Sequence, residues 1–150
     1  YEVIGARKLI TVLEILTMMN EIDRMSYLNA CKVIVAGGRD FENYALMSEK
    51  LNDLFVHSSE FNGSVIKIIS GMAKGADTLA IRYADEHKLT KVLFPANWKS
   101  YPRIAGFLRN EDMLSIATHL IAFWDGKSSG TKHMIDIAKE KGIPVWVFNY

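Results

Sequence analysis

Hydrophobic positions along the chain follow two alternating rhythms. Leu9, Val12, Leu13, Leu16, Met19 and Ile22 recur at helical spacing and predict an amphipathic helix near the start. A β-branched run over 32–36 then ends in Gly37-Gly38, and 44–57 returns to helical spacing through Leu46, Met47, Leu51, Leu54 and Phe55. The alternation continues with strands over 65–69, 91–94, 119–124 and 144–148 and helices over 76–87, 107–117 and 131–141, the last closed by Gly142. A proline-bearing loop over 95–102 interrupts it. The strands are nearly unbroken in Val, Ile, Leu and Phe, which burial on both faces requires, so they predict a parallel sheet covered by helices. The expected fold is α/β: a five-stranded, doubly wound domain over 31–150 with a helical appendage over 1–30.

Composition narrows the class. At 150 residues, with 49% hydrophobic and 23% charged, the chain suits one compact domain rather than disorder. The longest apolar stretch, 9–19, contains Glu14 and is shorter than the roughly 20 residues of a membrane span. Eighteen basic and 17 acidic side chains give a net charge of +1, which argues against a duplex-DNA or membrane-surface partner while leaving room for a local basic site. Cys31 is the only cysteine, so no disulfide framework and no thiolate metal cluster is expected. No signal peptide opens the chain, and a cytoplasmic setting follows as the expectation. Tyr1 stands where a Met would start the chain, with Met25 as a candidate alternative start.

In a doubly wound sheet, ligands bind beyond the carboxyl ends of the strands. Three strand-to-helix turns there are rich in glycine: Gly37-Gly38-Arg39-Asp40, the run from Ser70 and Gly71 through Lys74 and Gly75 to Asp77, and Asp125-Gly126-Lys127-Ser128-Ser129-Gly130-Thr131. Glycine lets backbone approach a ligand, and the following helix start offers N–H groups and a positive dipole end to an anion. Each turn is also readable as an ordinary connector, with Asp77 and Thr131 as helix caps. Three at one sheet edge favour a ligand. Neither GxGxxG nor a P-loop is present, so magnesium-dependent nucleotide hydrolysis is disfavoured.

Other candidates each carry two readings. Arg39 either clamps phosphate or pairs with Asp40. Arg109 and Met113, with Asn110 alongside, share a helix face. Trp98 and Tyr101 either stack a base or pack their loop, and Trp124 is expected as a pocket wall. His57, His87, His119 and His133 show no metal-ligand spacing. His133, beside a glycine turn, either contacts an anion or acts as an acid, or is a solvent-facing helical residue, the favoured reading. No metal and no cofactor is expected.

Taken together, Gly37-Gly38-Arg39-Asp40-Phe41, Ser-Gly-Met-Ala-Lys-Gly-Ala-Asp at 70–77, Phe-Pro-Ala-Asn-Trp at 94–98, Arg109-Asn110-x-x-Met113 and Gly126-x-x-x-Gly130-Thr131 resemble the YspA/YpsA-related branch of the SLOG superfamily. That superfamily also holds the lonely-guy enzymes and the DNA-processing protein A family. The resemblance runs from Cys31 to Tyr150 and implies a Rossmann-like fold, a nucleotide site and a homodimer. The lonely-guy enzymes are phosphoribohydrolases with Pro-Gly-Gly-x-Gly-Thr-x-x-Glu and Arg-Lys-x-x-Met motifs. Against these, Arg109, Met113, Gly130 and Thr131 match, and Asn110 replaces the Lys. Lys127-Ser128 replaces Gly-Gly, and Met134 stands at the Glu position. A methionine transfers no proton, so phosphate binding survives this departure better than catalysis does.

The leading expectation is therefore a nucleotide-binding sensor or processing module, with Arg109 neutralising ligand charge. The alternative is a hydrolase of the N-glycosidic bond of a nucleoside 5′-monophosphate or related nucleotide, with Arg109 as its catalytic residue. Single-stranded DNA binding is a weaker third, against which the near-neutral charge argues.

Overall fold

The computed structural model of the chain describes residues 2–3, 12–22, 24 and 30–150. Five strands form the body of the sheet: β2 (Ala30–Gly37), β3 (Val65–Ser70), β4 (Thr90–Leu93), β5 (His119–Trp124) and β6 (Val145–Asn149). A short β1 (Glu2–Val3) adds a sixth strand, which the hydrophobic pattern did not predict, because two residues carry no readable alternation. The order is β1-β4-β3-β2-β5-β6, and every pair is parallel. α1 (Val12–Met18) covers part of the predicted first helix. Leu9 and Met25 lie outside the described residues.

Alternation along β2 divides the core in two. Val33 and Val35 join Ile68, Ile121 and Phe123 beneath α2 (Tyr44–His57) and α3 (Ala76–Glu86), which supply Met47, Leu51, Ala80 and Tyr83. Ile34 and Ala36 face the other way, joining Ile69, Leu120 and Ala122 beneath α4 (Ala105–Ile116) and α5 (Ser129–Lys141), which supply Met113, Met134 and Ala138. A strand with both faces covered has no use for polar residues, which is why β2, β3 and β5 read as apolar runs.

The helix ends follow local chemistry. Asn43 caps α2, its side-chain oxygen accepting from the Leu46 N–H at 3.0 Å. Gly142 ends α5 in the left-handed conformation at φ 86°, as its position after the last periodic residue predicts.

This topology fixes where a ligand can sit. From β2 the chain winds outward through β3 to β4, then crosses back to β5 on the other side of β2. The turns after β2 and β5 therefore diverge to opposite faces and leave a crevice between them.

Candidate functional site

The first two glycine turns are stitched together. The Gly38 carbonyl accepts from the Ala76 N–H at 3.1 Å, while the Gly38 N–H donates to the Phe123 carbonyl at the same distance. A Cβ on Gly75 would stand 2.3 Å from the Gly38 oxygen, and Gly75 also has φ 88°, so no other residue fits without displacing backbone. A Cβ on Gly37 would stand 2.3 Å from the Phe123 carbonyl. These glycines bring three strands' ends together.

In the second turn, Ser70 is fully buried, and its hydroxyl donates to the Asp77 carbonyl at 2.9 Å. Asp77 is not a side-chain cap of the first helical turn. Its Oδ2 reaches back to accept the Ala73 N–H at 3.2 Å. Met72, between them, holds φ 61°, a left-handed conformation rare for a side chain of this size. In the third turn, Asp125 Oδ1 accepts from both the Lys127 and Ser128 N–H groups at 2.8 Å, which holds that carboxyl below its usual range. Gly126 makes the bend at φ 81°. Trp124 is not a wall of the crevice: its indole N–H donates to the Ser128 carbonyl at 3.1 Å and pins the loop instead.

α4 lays its polar face across these turns. Arg109 Nη1 donates to the Gly71 carbonyl at 2.9 Å, and its Nε is buried with no partner. Asn110 is buried, and its Nδ2 donates to the Gly130 carbonyl at 3.1 Å, with His133 Nδ1 equally distant. His133 is half-buried against the Phe107 ring, centroids 4.4 Å apart, rather than solvent-facing, and burial lowers its pKa.

A cavity of about 430 Å³ opens between the three turns and α4. Gly37, Gly38, Arg39 and Asp77 line one side, Arg109, Asn110 and Met113 the roof, and Asp125, Ser128, Ser129, Gly130 and Thr131 the other side. Trp98 stands at its mouth, 44% exposed, with the Arg39 guanidinium 5.7 Å from its ring centre. A second hollow of about 440 Å³ adjoins it, lined by Gly71, Met72, Lys74, Pro95 and Ala96 and sharing Arg39, Ala73, Trp98 and Arg109. Ser70, Gly75 and Gly126 line neither, and Tyr101 is an exposed loop residue outside both.

Burial sets the charge states. Asp77 is pushed up to about 6 by burial, against which Arg109, the Ala73 N–H and Arg39 all pull. Burial also lowers the Arg109 pKa, with Asp77 opposing. Arg39 leans on Trp98, and the Asp40 carboxylate takes the Tyr150 hydroxyl at 2.5 Å.

Comparison with known proteins places the chain in a family. Residues 31–101 match the model of the YspA, cpYpsA-related SLOG family. The Gene 61 protein of Mycobacterium phage D29 is 31% identical over 120 residues, spanning 76% of this chain and 93% of that protein. The chain belongs to the SLOG family. DNA processing protein A from Streptococcus pneumoniae shares the fold at a TM-score of 0.60, with 16% identity across 95% of this chain. This chain spans 63% of the length of that one. The matched SLOG segment carries the first two turns, while α4 and the third turn lie beyond it.

Several residues in or beside the cavity escaped sequence reasoning. Arg103 and Phe107 line the cavity but follow the proline loop without any motif of their own. Tyr150 reaches Asp40 across 110 positions, a contact visible only once β6 is known to lie beside β5.

Proposed function

We propose that this SLOG-family protein binds a nucleotide or nucleotide-derived ligand at the carboxyl edge of its sheet, as a sensor or processing module in the cytoplasm. The observation that carries the reading is the convergence of three glycine-bearing turns on one cavity roofed by Arg109. A phosphate at the start of α5 would meet backbone N–H groups and the positive end of the helix. Space around Gly130 is open, with nothing within 4 Å of where a Cβ would stand, so a ligand can approach that backbone closely. Arg109 adds a guanidinium whose Nε has no protein acceptor. The test is the unfolding temperature of the protein with a panel of nucleotides at up to about millimolar concentration, since a ligand that binds only the folded state raises it. A rise is expected for at least one nucleotide and is expected to vanish in Arg109→Ala; no rise with any nucleotide would remove the reading.

A second reading, hydrolysis of the N-glycosidic bond of a nucleoside 5′-monophosphate or related nucleotide, gains support from Asp77. Met134 lines the cavity and offers no proton, but Asp77 lines it too and titrates near 6. That range suits a general acid or base near neutrality. Release of free base that is lost in both Asp77→Asn and Arg109→Ala would establish it. A homodimer is part of the same proposal, supported by exposed Leu13, Met18 and Ile22 near the N-terminus and tested by light scattering. No helix among the described residues is long and apolar enough to cross a membrane.

A further inference from the structure

The two adjoining hollows differ in charge. The inner one, between α4 and the start of α5, carries three arginines (Arg39, Arg103, Arg109) and three carboxylates (Asp40, Asp77, Asp125). The outer one carries Arg39, Lys74 and Arg109 and no carboxylate. Lys74 lines only the outer hollow, so an anion at the start of α5 leaves it unused. An anion entering the outer hollow meets three cations with no opposing charge on its walls, and Arg109 and Arg39 serve both compartments. Trp98 stands on the wall shared by the two, with an exposed ring suited to stacking a base. The loop above the outer hollow holds Met72 at φ 61°, a strained conformation of the kind retained at binding sites.

Building on the nucleotide-binding reading above, we infer that the outer hollow is a second anion subsite and that the ligand carries two phosphates. It is a small dinucleotide, two nucleosides joined through phosphates, rather than a nucleoside monophosphate. One phosphate lies at the start of α5, and the other lies between Lys74, Arg39 and Arg109. The two phosphates are linked to each other beside Arg39 and Arg109, which line both hollows, and one base lies against Trp98.

Isothermal titration with adenosine 5′-monophosphate, di(adenosine) pyrophosphate and a 5′-phosphorylated thymidine tetramer tests this. The pyrophosphate-linked dinucleotide is expected to bind at least about tenfold more tightly than the monophosphate, as one added charge-assisted phosphate contact allows. Lys74 is exposed, so Lys74→Gln and Lys74→Glu are expected to fold, and both are expected to shrink that ratio, the charge reversal most. Binding of the monophosphate with no preference for the dinucleotide, or a preference that survives Lys74→Glu, would overturn the second subsite and leave the parent reading standing. Failure of these three probes would overturn the second subsite, and failure of the whole nucleotide panel as well would overturn both. Tightest binding by the tetramer would identify a single-stranded nucleic acid as the occupant and overturn the small-dinucleotide assignment.

Discussion

Asp77 is held between opposing influences: burial favours its neutral form, while Arg109 and the Ala73 N–H favour the carboxylate. The balance leaves it near 6, above its ordinary 3.8. Between those values the folded protein binds a proton that the unfolded chain has released. Its contribution to stability is therefore full below the lower value, falls as pH rises, and is lost above the higher one. Asp77→Asn is uncharged throughout and keeps an oxygen for the Ala73 N–H. Relative to the native protein it is expected to gain roughly 1–3 kcal/mol between about pH 4 and pH 7, measured by urea unfolding at several pH values. A difference that stays flat across that range would show that Asp77 does not titrate there. An anionic ligand beside it would draw the proton on more tightly, so ligand binding is expected to weaken as pH rises through 6.

Among the turns, two glycines that look alike in the sequence do different work. Gly75 is fixed by packing, with a left-handed backbone and the Gly38 carbonyl 2.3 Å from any Cβ. Gly130 has open space around it and lies in the first turn of α5. Gly75→Ala is expected to destabilise by at least about 2 kcal/mol. Gly130→Ala is expected to leave stability unchanged or raise it by up to about 1 kcal/mol, since alanine favours helix, while weakening ligand binding. Thermal unfolding with and without nucleotide separates the two. The sequence could not distinguish them, because what matters for Gly75 is a carbonyl from another turn, 37 positions away. What it did disclose was local: strand and helix identities, the αL glycine at 142, and three glycine turns at one edge. Arg109 was legible as a cation on the right helix. Its bond to the Gly71 carbonyl was not, because that depends on which strands are neighbours.

At the scale of the molecule, the described residues form two apolar layers pressed on one sheet, and β2 contributes to both. Loss of either layer strips a face from the same strands, so one cooperative unfolding transition is expected. Leu51 and Leu120 are fully buried on opposite faces. Leu51→Ala and Leu120→Ala are each expected to cost about 2–5 kcal/mol and to shift that single transition, seen alike by circular dichroism and tryptophan fluorescence. Two separated transitions would show that the layers unfold independently. The net charge of +1 belongs to this scale too: it supplies no long-range attraction, and any affinity for anions is built locally, from backbone N–H groups and the few cations at the sheet edge.

The strand order has a consequence in time. β2 pairs with β3, which follows closely, and with β5, where Val33 lies opposite His119. A growing chain thus completes two glycine turns while the other side of β2 is still bare, and only the arrival of β5 and α5 closes the crevice. The pocket is completed late, with only β6 still to be added. A molecule that fits it cannot guide early folding and acts only as a clasp on the finished protein, so occupancy in the cell would lengthen the life of mature copies without speeding their production.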